Sequence, residues 1–484
     1  MRRTACTACL AALALVAPGC DRLLDDTFTF ESVSIAAPGD GDTALGAEVL
    51  TVSVQTECNQ VSSIEILVDD EVAGSWPSSD AAQPVCDGPA LGYCIDAELA
   101  PALRQGRFWP ARLEARMTCA GRAGRFLSAP LAVKVAPFDG LSFLPAAATS
   151  LIVDSDAGVV SVSEAGLHRV DPATGDVTTL PHLSRRARAF RVGDDLYFYA
   201  PCEPPLLCDA AAPNLYRIAA GALAPTGDRA RLDCAPLAVT DSSAGARRAM
   251  LLGDCGEPRV RWSAPDLSDP VDAPLGAAPT GQAARRGGEL AMLAFDGDEL
   301  VIVAASDAPP LAMRRTGVRA AASVAAISAD GVRAAVLDPA TGQVVHVDVA
   351  SGATTGSVAL PSGLGVTAFS YVPGTHDLLV ATADHSWRVT ADAAEPLLDR
   401  PRRDDRPVRI RAAVAIDGRR TVGVADDGTP FVFASDGASL ESIATLGPDW
   451  VLTAGPVATA GGELYLAFTT AEGPVVVRHR VPGQ

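Results

Sequence analysis

Eleven cysteines and six histidines are the residues of this 484-residue chain best suited to bind a metal or to supply a nucleophile and a base. Eight of the cysteines form two even sets: Cys58, Cys86, Cys94 and Cys119, then Cys202, Cys208, Cys234 and Cys255. No two of these eight make a Cys-x-x-Cys pair, the usual spacing of a thiolate metal site. Two even sets are therefore expected as disulfides, the chemistry of an exported protein. His168, His182, His346, His376, His385 and His479 are dispersed, with neither a metal-like nor a triad-like spacing. They are expected as scattered strand or surface residues. The stretches Asp154 to Gly158 and Asp296 to Glu299 have a calcium-loop look, but β-turns also call for Asp and Gly, and neither stretch has the ligand series of an EF-hand. No Gly-x-Ser-x-Gly elbow and no phosphate loop occurs. The sequence assigns no catalytic residue, no metal and no cofactor.

At the start of the chain, Arg2 and Arg3 precede an apolar run from Ala5 to Ala17, closed by Gly19-Cys20 and followed by polar Asp21. This order is that of a secretion signal, and the cysteine after Gly19 makes it resemble a bacterial lipoprotein signal. The resemblance implies a leader over 1–19, a diacylglycerol on Cys20 and a short tether over 20–27. The chain is then expected to be exported and held to the cell envelope by lipid, with the choice of inner or outer membrane open. No later run is apolar for 18 or more residues, so no transmembrane helix is expected. Loss of Arg2 and Arg3 takes the net charge from −19 to −21. That acidity argues against nucleic acid as a partner and against charge-driven docking on anionic lipid.

Which elements would position such residues? Leu50, Val52 and Val54 alternate with Thr51, Ser53 and Gln55, and Leu113, Ala115, Met117 and Cys119 alternate with Arg112, Glu114, Arg116 and Thr118. Period-two alternation puts one face in a core and one in water. About 110 residues of such strands, 28–137, predict a β-sandwich. The stretches SSIEILVDDEVAGSW (62–76) and ARLEARMTCAGRAGRFLSAPLAVKV (111–135) resemble bacterial immunoglobulin-like domains of surface proteins, which implies a spacer or an adhesive module. Cys58 and Cys119 share the parity of core-facing neighbours, so a Cys58–Cys119 bridge is expected, leaving Cys86–Cys94 to close a local loop.

Residues 138–484 repeat. Eight hairpins of apolar strand, Gly/Asp turn and apolar strand begin with SLIVDSDAGVVSV and end with PVATAGGELYLAF, at a mean spacing of about 44 residues. Four-stranded propeller blades recur at that period. The expectation is an all-β chain: an immunoglobulin-like sandwich, then a β-propeller of eight blades, with seven as the alternative. The last unit has only three strands, and the missing outer one is expected from Leu141 to Leu144. Two phrases, VDPATGDV (170–177) and LDPATGQV (337–344), lie 167 residues apart, close to four blades. They resemble the turn of quinoprotein-like propellers and of the lipoprotein propeller that assists outer-membrane barrel assembly. AISADGVRAAV resembles a phrase of bacterial cell-surface propellers. The quinoprotein pattern implies a blade-docking Trp where Thr179 and His346 stand here, so no cofactor is carried over.

The longest second-to-third loop, Ala200 to Pro213, holds Cys202 and Cys208. Cys234 is read as beginning an inner strand and Cys255 as ending its partner. The expected bridges are 202–208 and 234–255, with exchange between them open, on the side from which the Asp399 to Arg406 linker also emerges. Cross-braced long loops suit an interaction surface. The functional expectation is a non-enzymatic envelope lipoprotein whose propeller binds envelope proteins or glycans, or scaffolds assembly. The alternative is a propeller enzyme of lyase, lactonase or glycosidase type with an axial site.

Overall fold

In a computed structural model the chain divides into two compact units, residues 1–102 with 109–135, and residues 103–108 with 136–484. The structure describes residues 32–39, 43–45, 49–58, 60–76, 92–98, 111–120 and 125–136. Beyond these it describes 138–480 except 156–157, 172–173, 203–211, 220, 222, 242–246, 254–255, 287–288, 307, 320–323, 404–405, 417–419, 427, 435–439, 443–445, 447–449 and 460–461. Among the described residues there is no α-helix, and no helix long and apolar enough to cross a membrane.

The first unit is two antiparallel sheets. Val49–Thr56 lies between Val33–Ala37 and Tyr93–Glu98 in one. Val61–Val68 and Ala111–Cys119 form the centre of the other. The alternation read from sequence has its physical counterpart: Val52, Val54, Ile64, Ile66, Leu113, Ala115 and Met117 are all fully buried. A disulfide joins Cys58, two residues past the end of its strand, to Cys119 at the end of the other sheet's central strand, with Cα atoms 6.2 Å apart.

The second unit is a β-propeller built of repeated four-stranded antiparallel sheets, eight of them among the described residues. The first strands of sheets one to seven are Ala148–Ser155, Arg188–Val192, Pro236–Asp241, Ala278–Arg286, Val324–Ile327, Val366–Tyr371 and Ile410–Ala415. Val451–Ala458 leads the closing sheet. Each first strand lies against the first strand of the next sheet, and Val451–Ala458 lies against Ala148–Ser155, so the series closes on itself. Each sheet packs both faces against neighbours. Second strands are accordingly buried throughout, as in Gly158–Ser163, Leu378–Thr382 and Arg248–Leu252. That double burial explains their near-continuous apolar runs. Outer strands such as Ala224–Ala230 face water and are polar.

The closing sheet takes its outer strand from the other end of the unit. Gly140–Phe143 pairs antiparallel with Gly473–Arg480, Leu141 opposite Val477 and Phe143 opposite Val475, and the Leu144 amide donates to the Pro474 carbonyl. This is the pairing expected for Leu141 to Leu144. Phe138, with no exposed surface, anchors it against Trp450 and Phe468 at centroid distances of 6.0 and 6.4 Å.

One expectation is corrected. The two Asp-Pro-Ala-Thr-Gly phrases are not equivalent turns. Asp171 to Gly175 joins the third strand of sheet one, Gly166–Val170, to its outer strand, Val177–Pro181. Asp338 to Gly342 joins the second and third strands of sheet five, Arg333–Asp338 and Gln343–Asp348, at the opposite rim. The true counterpart of the first is Asp348 to Gly352, 177 residues on, where Ser351 replaces the threonine. The motif is local turn chemistry: Asp338 accepts from the Ala340 amide and the Thr341 hydroxyl, and Gly342 has φ +74, which favours glycine. The same local solution serves either rim, so its spacing does not track the blade.

Two predictions follow from this packing. Phe138→Ala should lower unfolding stability by roughly 3–5 kcal/mol, while Phe143→Ala, at a site 40% exposed in the strand that follows, should cost far less; calorimetry of both variants checks this. Cys58→Ser should destabilise the first unit by about 4 kcal/mol on the chain-entropy estimate for its 61-residue span, read as the loss of an early melting transition from its original position.

Candidate functional site

In a four-stranded meander the second-to-third and outer-to-next-inner connections share one side, here the loop face. The hairpin turns and third-to-outer turns share the other, the turn face. Of the cysteines placed on the loop face, Cys202 lies after Asp195–Tyr199 and Cys234 before Pro236–Asp241; both are disulfide-bonded. Their partners, like Cys208 and Cys255, lie outside the described residues. Cys94 is likewise disulfide-bonded, while Cys86 and Cys20 lie outside the described residues. Cys234 precedes its inner strand rather than beginning it, because the ladder starts at Pro236 opposite Leu252.

A second brace acts beside these cysteines, and sequence reading missed it. The Asn214 side-chain amide donates to the Leu232 carbonyl and its oxygen accepts from the Leu232 amide, both at 2.7 Å. One side chain thus ties the end of the long 200–214 loop to the connection carrying Cys234. Asp233 pairs with Arg259, and Asp272 with Arg259 and Arg261, stiffening the same corner.

The histidines fall into separate settings. His168 is buried; its Nε2 sits 2.7 Å from the Ser163 hydroxyl and its Nδ1 3.1 Å from Thr179. Burial pushes its pKa down, and those of His182 and His346 also, so all three rings favour the neutral form. His385 stacks on Trp387 and meets Asp399 at 3.0 Å. His479 lies 3.3 Å from Asp139. The acidic turn of sheet four is committed to arginine: Arg315 meets Asp296 and Glu299, and Arg319 meets Asp298. The side chains of Asp154 and Asp156 lie outside the described residues, and no metal-competent cluster occurs among the described ones. A fully buried docking tryptophan does exist, Trp262, whose indole donates to the Ser306 carbonyl of the next sheet at 2.9 Å. It stands on a third strand without the Asp-Pro-Ala-Thr-Gly turn.

Serine, carboxylate and imidazole come together on the turn face, between sheets five and six. The Ser328 hydroxyl donates to Asp330 Oδ1 at 2.6 Å, the Val332 amide to the same oxygen at 3.0 Å, and His376 Nε2 lies 2.9 Å from Oδ2. Burial opposes the charge on Asp330, but the Ser328 hydroxyl, the His376 ring and the Val332 amide together outweigh it and hold the pKa at about 2. The order of contacts decides the chemistry. Ser328 sits on the carboxylate, not on the imidazole, so no relay leads from His376 to that hydroxyl. The cluster instead links two adjacent sheets. Tyr371 stands beside it, its phenol pushed well up by burial.

Inner strands also share a feature that lay hidden in the sequence. Register shifts leave Thr149, Leu237, Thr367, Arg411 and Thr453 without a ladder partner near the loop-face ends of their strands. Thr280 falls within the equivalent shift of sheet four. The hydroxyls of Thr149, Thr280 and Thr453 donate to second-strand carbonyls at 3.0 to 3.2 Å. Threonine recurring at two or three blade periods, at 149, 280, 367 and 453, was the available signal.

No protein-family model matches the chain, and no curated protein matches it in sequence. Solved structures resemble it in fold. BamB from Moraxella catarrhalis is 14% identical over 71% of this chain and 99% of that one, with a TM-score of 0.45. A virginiamycin B lyase from Staphylococcus aureus is 13% identical over 61% and 98%, with a TM-score of 0.43. Hsv2 from Kluyveromyces lactis is 11% identical over 60% and 93%, with a TM-score of 0.42.

The Asp330 cluster makes a prediction about acid stability. Its folded pKa lies below the ordinary value of 3.8. The stabilisation is therefore full above about pH 4 and drains away as pH falls toward 2. Half-exposed Asp330 is screened by solvent, so the effect is about 1 kcal/mol or less. Asp330→Asn should lower the melting temperature slightly at pH 7 and remove part of its decline between pH 4 and 2, as measured by melts across that range.

Proposed function

We propose that this chain is an exported lipoprotein held to the cell envelope through Cys20, in which an immunoglobulin-like first unit acts as a spacer for an eight-bladed, non-enzymatic propeller that binds an envelope protein or glycan on its loop face. The braced loop face carries this reading: disulfide-bonded Cys202 and Cys234 and the Asn214 clamp stiffen its longest loop. A stiff, broad face holds its shape before a partner arrives and loses less conformational freedom on binding. The eight four-stranded sheets and their closing pair support the blade count. The two sheets of the first unit, pinned by Cys58–Cys119, support a stiff spacer. The positive start at Arg2 and Arg3, the apolar run and Gly19-Cys20 support the anchor.

Two experiments test it. Cys20→Ser should move the protein from the membrane to the soluble fraction; unchanged membrane association rejects the anchor. A photo-crosslinking residue in place of Arg185, an exposed loop-face position, should capture an envelope partner, and one in place of Asp269 on the turn face should not. Equal capture from both faces, or from neither, rejects the platform.

A further inference from the structure

Six arginines crowd into twelve residues of this acidic chain: Arg400, Arg402, Arg403, Arg406, Arg409 and Arg411, against a chain total of 39 basic and 58 acidic residues. The first five occupy the connection from the outer strand of sheet six, Ala394–Asp399, to the inner strand of sheet seven, and Arg411 is the second residue of that inner strand, so all lie at the loop face. Several exposed arginines elsewhere on that face meet carboxylates. Arg185 pairs with Glu164, Arg315 with Asp296 and Glu299, and Arg319 with Asp298. Arg400, Arg409 and Arg411 are exposed, and among the described residues none of the three guanidinium groups meets a carboxylate. Buried Ile410 pins the chain between the last two. Arg411 stands at the register shift of its inner strand, with Thr367 and Thr453 at the corresponding shifts of the inner strands on either side. The hydroxyl of Thr453 is a donor to the Ala467 carbonyl and keeps its acceptor capacity.

We infer that this arginine-rich connection is the docking element of the loop face and that its partner is an acidic polypeptide segment in extended conformation. The inference rests on the binding-platform reading and names the chemistry of the partner. Arg400, Arg409 and Arg411, which meet no carboxylate among the described residues, attract negative groups while the rest of a strongly acidic chain repels a diffuse polyanion, so the charge pattern selects a short acidic stretch. The backbone selects a polypeptide over a glycan. Arg402–Arg403 pairs with Arg406–Pro407 as an isolated two-stranded ribbon, with no third strand on either edge among the described residues. The Arg402–Arg403 edge carries backbone N–H as well as C=O groups, which an extended peptide can complement and a sugar polymer cannot, whereas Pro407 leaves the other edge short of a donor. Arg409 and Arg411 then take carboxylates beside the ribbon, and guanidinium suits carboxylate through its planar fork of donors.

The test uses the full chain and immobilised poly-L-glutamate. The native protein should bind, more weakly as salt rises. A variant carrying Arg400→Gln, Arg409→Gln and Arg411→Gln should bind about tenfold more weakly with an unchanged melting temperature. Absence of binding by the native protein, or equal binding by the variant, overturns the inference. Dextran sulfate and phosphatidylglycerol vesicles serve as competitors; displacement at equal charge concentration overturns the choice of a polypeptide. The Arg185 crosslinking assay separates the two readings. A variant that loses poly-L-glutamate but still captures its envelope partner leaves the platform standing and removes this docking element. Loss of both supports the inference, and absence of any capture by native protein removes the platform itself.

Discussion

The propeller depends on one pairing, that of Gly140–Phe143 with Gly473–Arg480. Seven sheets are each made from a continuous stretch of chain, and such a series on its own ends in two open edges. Borrowing the outer strand of the last sheet from before the first strand of the first joins the two ends by a backbone ladder. A ring so closed has no exposed inner edge to recruit another chain. It also sets the composition of every sheet. Once each sheet is packed on both faces, its second strand must be apolar on both sides, and polar residues return on the third and outer strands.

Closure also decides where polar groups can go. Between sheets, several charged and phenolic side chains find hydrogen-bond partners on the neighbouring sheet. Arg248 donates to the Tyr197 hydroxyl at 2.8 Å, and Tyr197 in turn donates to the Pro265 carbonyl of the neighbouring sheet at 3.0 Å. Arg191 reaches back to the Val153 carbonyl of the previous sheet, and Trp262 reaches forward to Ser306. These contacts lock adjacent sheets in register without an apolar seam at the rims. The Asp330–His376 pair belongs to the same class, joining two hairpin turns, which is why its serine serves the carboxylate rather than the imidazole.

The two faces diverge from a common scaffold. On the turn face, short Asp- and Gly-bearing turns are satisfied within the turn, as where the Asp348 carboxylate accepts from the Ser351 amide and hydroxyl. The loop face carries the two longest connections, 200–214 and 400–409, and the first of them draws outside help from a cysteine and from Asn214, beside ion pairs such as Arg259 with Asp233. Long loops leave the sheet's hydrogen-bond network, and only cross-bracing gives them a fixed shape. Function is proposed on that face because the protein spends its structural resources there.

The sequence by itself determined whatever depends on local period and local turn chemistry. The eight hairpins were legible because each must alternate strand, turn and strand, and the spacing of about 44 residues follows from four strands per sheet. The strand near Leu141 was legible because the last unit was one strand short. Cys58 and Cys119 could be paired because residues of like parity face one core. Tertiary structure alone decided the rest. The Asp-Pro-Ala-Thr-Gly phrase marks a tight turn wherever one is needed, so its recurrence could not say which rim each copy occupies. Asn214 reads as an ordinary loop residue until Leu232 is brought opposite it. Asp330 and His376, 46 residues apart, meet only because consecutive hairpin turns lie side by side. That Arg409 and Arg411 meet no carboxylate among the described residues is likewise invisible in a string where aspartates stand nearby, because sequence proximity does not fix which charges face one another across a folded surface.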